Sequence, residues 1–527
     1  MTEATDQRVI QAMRNPGFYD HPVERVELIE THISLIFLAG DFAYKVKKPV
    51  NFGFLDFSTL AKRRHYCHEE LRLNRRFAPR LYLAVKRIGG SRDAPGLDRQ
   101  PALEYAVKMR RFPQDRQLDR MLAAGRLEAR HIKAFAAQIA ELHHRALPVS
   151  ADQPYGSPGS IIAPMLENFA QLGPLLHASA SGQQLARLEQ WTQHAFAALQ
   201  ETLRQRKTDG FIRECHGDAH LANMAWFDHQ PLLFDCIEFN ENLRWIDVIN
   251  DIAFLVMDLD DRGETGLGWE FLNHYLQETG DYRGLTLLNF YRVYRAMVRA
   301  KVTGLRLDQG HLDEGRRSQA AHLLQSYLDL AERYTVPQAT PLIITHGFSG
   351  AGKTTFARQL ATVHGAIHLR SDVERKRLHG LPATAKSGSP VGGGIYSAQA
   401  FADSYTRLRD SADTLLRSGY PVIVDATFIK RQQRELFSRL ARQLQVPLLI
   451  LDFPQADQEL RRRIRARQAG TDASEATVAV LDYQLEQHEP LSAAEQQRAL
   501  RVQPDTSAEE MSARLRSRAD PGHSATP

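Results

Sequence analysis

Cysteine is scarce in this chain: Cys67, Cys215 and Cys236 are the only three among 527 residues. Their wide spacing, with no CxxC pair, excludes a disulfide framework and a cysteine-built zinc site, and a reducing cytoplasm is the expected compartment. Long hydrophobic runs are also missing. No segment approaches the roughly 18 apolar residues that a membrane span requires, and the opening MTEATDQRVIQAM lacks the basic-then-apolar order of a signal peptide. An untargeted, soluble protein with no membrane partner is expected. Charge of one sign is not in large excess: 67 Lys and Arg face 62 Asp and Glu, for a net charge of +5. Over such a length this is too little to argue nucleic-acid binding by itself.

What is present is ordinary globular material, 43% hydrophobic and 24% charged, with no internal repeat and room for about three folding units of roughly 100–200 residues each. Residues 27–50 are rich in Ile, Leu, Val, Phe and Tyr and are broken at Gly40-Asp41, which predicts a β-hairpin or two paired strands. STLAKRRHYCHEELRLNRRF (58–77) predicts a helix, and residues 80–88 and 103–112 predict strands around the turn-rich GGSRDAPG. From about 115 to 210 the apolar spacing is helical. TVPQATP (335–341) is a connector, after which strands alternate with helices, as in a parallel α/β sheet. The end, 504–527, is rich in Ser, Ala, Arg and Pro and is expected to be a disordered tail.

The stretch HGDAHLAN (216–223) places Asn223 five residues after Asp218, and a further carboxylate, Asp235, follows inside the apolar run PLLFDCIEF. Phosphoryl transfer of the protein-kinase type needs a base for the acceptor hydroxyl, an Asn and an Asp on Mg²⁺, and a phosphate-binding lysine held by an acid. Lys45 in AYKVKK is the candidate lysine, with Lys47 as its alternative, and Glu69 and Glu70 compete as its partner. A turn with a buried histidine is the plain alternative for HGDAHLAN. His216 and His220 are read as orienting residues.

This pattern resembles the aminoglycoside phosphotransferase and choline kinase family, whose catalytic loop reads H-G-D-x-H-x-x-N, over residues 25–330. The resemblance implies a bilobal protein-kinase-like fold within 1–335, with an N-lobe at about 25–112 and a C-lobe at 113–335. It implies Asp218 as catalytic base, Asn223 and Asp235 as Mg²⁺ ligands, and 105–115 as the hinge near adenine. No G-x-G-x-x-G precedes Lys45, so the loop over the phosphates is short or replaced. A polycationic acceptor would call for an acidic pocket, and only the scattered Asp247, Asp251, Asp258, Asp260 and Asp261 offer one.

GFSGAGKT (347–354) matches G-x-x-x-x-G-K-[ST] between a strand and a helix. Backbone amides of Gly347, Ser349, Gly350, Ala351, Gly352 and Thr355 are expected around the phosphates, with Lys353 on the β- and γ-phosphates and Thr354 on Mg²⁺. Asp372 in LRSD would emerge at the rim of the sheet as a base, or else cap the next helix. Asp425 in PVIVDAT takes the Walker-B position near Mg²⁺, or serves as a turn residue. RRRIRAR (461–467) reads as a lid supplying Arg463 and Arg467, or as a solvated face. Across about 341–500, within an expected domain of 336–503, the chain resembles polynucleotide-kinase-like and gluconate-kinase-like P-loop kinases of the AAA type, which implies a three-layer α/β/α parallel sheet. Taken together, the expectation is an α/β and α+β multidomain phosphotransferase with two sites for ATP and Mg²⁺, acting on small-molecule hydroxyl acceptors. The alternatives are a nucleotide-binding regulator with an inactive first half, and a nucleic-acid end kinase in the second. Oligomeric state is left open.

Overall fold

The computed structural model describes residues 7–519 apart from 54, 178–179, 309–312, 384, 391–392 and 468–475. Contacts divide the chain into two units: Met1–Asp258 with Tyr294–Leu328, and Leu259–Val293 with Asp329–Pro527.

The first unit opens with β1 (Val26–Glu30), β2 (Ser34–Ala39) and β3 (Phe42–Lys47). Three strands form where a hairpin was expected because Thr31 makes an extra turn: Ser34 N donates to Thr31 Oγ1 at 2.9 Å, and Thr31 N to Ser34 O at 2.9 Å. With β4 (Tyr82–Ser91), β5 (Ala94–Leu97) and β6 (Ala102–Arg110) they build an antiparallel sheet of order β1-β2-β3-β6-β4-β5. Side chains alternate across a strand. On β3, Tyr44 and Val46 enter an apolar core with Val9, Met13 and Phe37. Lys45 and Lys47 therefore take the opposite face, toward the helix Leu60–Asn74, whose Cys67 packs with Tyr82 and Val107.

Helices Ala129–Arg145, Pro158–Leu176 and Ala180–Thr208 come next, then four short strands, β7 (Ile212–Glu214), β8 (Met224–Phe227), β9 (Gln230–Leu233) and β10 (Trp245–Asp247). β7 pairs with β10 and β8 with β9. The 216–223 motif thus lies between β7 and β8, and Asp235 stands two residues beyond the end of β9.

The second unit carries five parallel strands, β11 (Leu342–His346), β12 (Ile367–Arg370), β13 (Val422–Asp425), β14 (Leu448–Asp452) and β15 (Ala499–Arg501), in the order β12-β13-β11-β14-β15. β11 and β13 are buried along their whole length, as a sheet covered by helices on both faces requires.

Two boundaries differ from expectation. The expected division at 335/336 is not where contacts divide, because Leu259–Val293 packs with the parallel sheet. Asn273 explains how: its Oδ1 accepts His368 N at 2.8 Å and its Nδ2 donates to Ala366 O at 2.9 Å, satisfying backbone at the edge strand β12. Of the tail expected over 504–527, the stretch Ala508–Ala519 is a helix whose Met511 and Leu515 are fully buried against Phe356 and Leu360, and 520–527 lie outside the described residues. Two apolar residues four positions apart suffice to make one helical stripe, even in a polar sequence. Among the described residues, no helix is long and apolar enough to cross a membrane.

Candidate active sites

Lys45 Nζ lies 2.9 Å from Glu70 Oε1 and 2.5 Å from Asp235 Oδ1. This decides between the two glutamates. Neighbouring helical residues point about 100° apart, so Glu70 faces β3 while Glu69 turns away to Arg72 at 2.8 Å; Glu69 is corrected to a surface ion-pair residue. Glu70 is fully buried and holds Lys47 as well, at 2.6 Å, and Lys47 in turn pairs with Glu238. Burial opposes the Glu70 charge, but the two ammonium groups outweigh it and hold the carboxyl well below the ordinary range. Burial pushes Glu238 the other way, upward, against the pull of Lys47.

Asn223 Nδ2 donates to Asp218 Oδ2 at 2.9 Å and to Asp218 O at 3.0 Å. The adjacent backbone is tied in too, since Phe234 N donates to Asn223 O at 3.0 Å. Asp235 sits at φ 63°, a left-handed conformation costly for any residue but glycine and typical of functional positions. The Asp218 and Asp235 side chains stay 35% and 44% exposed in an otherwise buried setting, so both carboxylates are accessible. For Asp218, burial would raise the carboxyl, but His220 first, then His216 and Arg295, carry it far below the usual range. The carboxyl is thus held in its ionised form. The Asp235 carboxylate and the Asn223 amide oxygen are hard oxygen donors of the kind Mg²⁺ prefers.

The loop is held from behind. Asp251 accepts Gly217 N at 2.7 Å, His216 N at 3.2 Å and His143 Nε2 at 3.1 Å, and Asp258 accepts Leu221 N at 3.0 Å. His216, whose pKa burial lowers, donates from Nε2 to Phe234 O at 2.9 Å. Gly217 has φ 83°, and a Cβ there would stand 2.6 Å from Leu243 O, so only glycine fits. Asp247 pairs with Arg206 at 2.6 Å, and Asp260 with Arg292. Four of the five scattered acids are therefore structural, and they do not form a polycation pocket. His143, Cys215 and Asp251 lie within ligand distance of one another, but Asp251 is already engaged by these hydrogen bonds.

In the second unit the turn after β11 leads into the helix Lys353–His364. Gly350 has φ 87°, and a Cβ there would stand 3.0 Å from Leu460 O. Ser349 N donates to Gln484 Oε1 at 2.9 Å, Gly347 N to Thr427 O at 3.1 Å, and Lys353 Nζ to Phe348 O at 2.7 Å. Ala351 is 4% exposed in the apolar core and its N donates to Phe348 O at 3.2 Å, so with Gly347 N and Ser349 N it is an amide that the fold itself engages, against expectation. Gly350, Lys353, Thr354, Asp372, Asp425 and Arg463 line one cavity of 1720 Å³, together with Thr355. Asp425, at the end of β13, meets His368 Nε2 at 3.2 Å; that contact outweighs burial and lowers its carboxyl. The Thr354 hydroxyl and the Asp425 carboxylate, both at the cavity, again suit a hard cation. Asp372 does not cap its helix: Arg370 is the N-cap residue, and the Asp372 carboxylate is taken by Arg375. Arg463 leans over the turn, its Nη1 within 3.6 Å of a Cβ placed on Gly352, and pairs with Glu459 at 2.6 Å. The Arg467 side chain lies outside the described residues.

Sequence reasoning missed the second buried pair, Lys47 with Glu238. Half of its signal was available: Lys47 lies two residues from Lys45 on β3, hence on the same strand face, whereas Glu238 lies beyond the end of β9 where no strand period places it. The Gln484 contact to Ser349 spans 135 residues and leaves no trace in the sequence.

A bilobal kinase-like phosphotransferase fold followed by a P-loop kinase-like domain is what these two constellations define. Residues 55–288 match the model of the Phosphotransferase enzyme family, and residues 342–491 match that of an AAA domain. A protein of Mycobacterium tuberculosis described as uncharacterized is 32% identical over 469 residues, 88% of this chain and 92% of its own, and a Mycobacterium bovis protein matches equally. The chain belongs to the family of these mycobacterial proteins. Among solved structures, an amicoumacin kinase in complex with AMP-PNP, Ca²⁺ and Ami is 14% identical with a TM-score of 0.39, covering 62% of this chain and 93% of its own. A gluconokinase from Sinorhizobium meliloti is 19% identical with a TM-score of 0.25, covering 34% of this chain and 93% of its own.

Proposed function

We propose that the protein is an ATP-dependent phosphotransferase with two separate nucleotide sites, each passing the γ-phosphoryl group to a hydroxyl of a small molecule. The observation that carries the first site is the junction of Lys45 with Glu70 and Asp235 beside the Asp218–Asn223 pair. Lys45 holds ATP phosphate oxygens. Asp218 accepts the acceptor's hydroxyl proton as its oxygen bonds to the γ-phosphorus and the bond to the ADP oxygen breaks. Mg²⁺, held by Asn223 and Asp235, would neutralise phosphate charge. At the second site the amides of Gly350, Gly352, Thr354 and Thr355 and the Lys353 ammonium grip the triphosphate, Thr354 and Asp425 would hold the ion, Arg463 faces the phosphates, and Asp372 takes the acceptor proton.

Transfer of labelled γ-phosphate by the full chain to a panel of hydroxylated metabolites tests this. Asp218→Ala should remove one set of products, Lys353→Ala the other, and the double variant all of them. Transfer that survives in the double variant would reject the proposal. A second reading is favoured by one feature: the turn between β1 and β2, Thr31–Ile33, contains no glycine. A first half that binds nucleotide as a regulator would leave the full-length Lys353→Ala variant able to bind ATP without consuming it. The full chain is required, because Leu259–Val293 packs with the second unit.

A further inference from the structure

The cavity beyond the P-loop has a wall whose charge the nucleotide does not explain. Besides Lys353 and Arg463 at the phosphates, it presents Arg370, Arg375, Lys430, Arg431 and Arg439. Its acids are already engaged: Asp372 by Arg375, Asp425 by His368, Glu435 by Arg439 at 3.3 Å, and Glu489 by Arg431 N at 2.5 Å. Neither Lys430 nor the Arg431 guanidinium has a carboxylate partner among the described residues. Arg375 is the telling member. It is 4% exposed, stacked 4.9 Å from the Tyr396 ring centroid and 4.7 Å from that of Phe401, and its Nε has no hydrogen-bond partner. A buried guanidinium with one carboxylate and an unmet donor is under-satisfied, and clustered cations in a cleft attract anions strongly.

We propose that the acceptor of the P-loop half is an anionic alcohol: a small molecule whose reacting hydroxyl is presented to Asp372 while a carboxylate or phosphate group elsewhere on it binds the Arg375, Lys430 and Arg431 wall. A carboxylate and a phosphate share the chemistry this wall recognises, bidentate oxygen acceptors for guanidinium donors. Tyr396 and Phe401 screen the Arg375 side from water, which strengthens the attraction. This reading rests on the P-loop half being a kinase site.

The full-length Asp218→Ala protein, saturated with Mg·AMP-PNP, is titrated by calorimetry with inorganic phosphate, D-gluconate, neutral D-glucitol and a short single-stranded DNA oligonucleotide. Phosphate or gluconate should bind at least tenfold more tightly than glucitol; stronger binding of phosphate assigns a phosphorylated acceptor, and of gluconate a carboxylated one. Arg375→Gln combined with Lys430→Gln should weaken that binding at least tenfold while leaving the AMP-PNP Kd within twofold, and Arg375→Lys, which keeps the charge but not the planar fork, should retain only part of it. Glucitol binding as tightly as the anions, or the oligonucleotide alone binding in an Arg375-dependent way, overturns the proposal while leaving the kinase reading intact. If AMP-PNP affinity at the P-loop is indifferent to Lys353→Ala, the kinase reading itself falls, and this proposal with it.

Discussion

Lys47 Nζ donates to Glu70 Oε2 at 2.6 Å, on the oxygen that Lys45 leaves free. Glu70 is thereby fixed at both oxygens, and its position fixes Lys45. Replacing Lys47 by Met should let Glu70 rotate and leave Glu238 as a buried charge without a partner. The expected cost is about 3–5 kcal/mol of stability, as for breaking other buried pairs. Measured in the Lys353→Ala background, ATP affinity of the first site should fall about tenfold. Adding Glu238→Gln should recover most of the urea midpoint, and Glu69→Gln should change neither quantity by more than about twofold, as for an exposed pair.

Asn273 spans two backbone groups of the parallel sheet, His368 N and Ala366 O. Asn273→Ala leaves both without that partner, each worth about 1–3 kcal/mol when buried. Thermal unfolding of the full chain should shift down accordingly. An unchanged midpoint would mean that the 259–293 segment contributes little to the second unit.

Met511 and Leu515 lie fully buried in the core beneath the P-loop helix. Met511→Ala and Leu515→Ala should each cost about 2–5 kcal/mol, the usual range for large-to-small core changes. A frayed tail would make both substitutions silent in chemical denaturation.

His364 ends the P-loop helix and shares a hydrogen bond with Ser512 Oγ at 3.0 Å. Burial, then Arg516, depresses its pKa from 6.5 to about 4. The unfolded chain therefore takes up the proton first. The resulting stability is fully present above about pH 6.5 and is lost progressively as pH falls toward 4. His364→Gln should flatten this part of the pH profile relative to wild type when urea midpoints are compared between pH 7.5 and 4.5. Parallel profiles would show that the ring is protonated in the folded protein.

Much of the fold was legible because its signals are local. The parallel strands at 367–370, 422–425 and 448–452 are short runs of β-branched and aliphatic residues, and the turn at 347–354 follows from glycines with backbone freedom no other residue has. The spacing of Asp218, Asn223 and Asp235 marked the proposed first site for the same reason: the loop before β8 and the end of the β8–β9 hairpin carry all three. Glu69 and Glu70 could not be separated from composition, because helix phase relative to a sheet depends on which face is buried. Arg375 was visible three residues after Asp372, yet its place between two aromatic rings was not, since Tyr396 and Phe401 arrive from a different loop and helix.

The sequence alone determined most element types, the final helix excepted, together with the chemistry available at each motif and the order of the two nucleotide-binding segments, because backbone preference and side-chain spacing act over a few residues. Tertiary structure decided which lysine meets which glutamate, where the units divide, and that the final helix is part of a core. Those outcomes depend on burial and charge pairing between residues 23 to 191 positions apart, where no local pattern reaches.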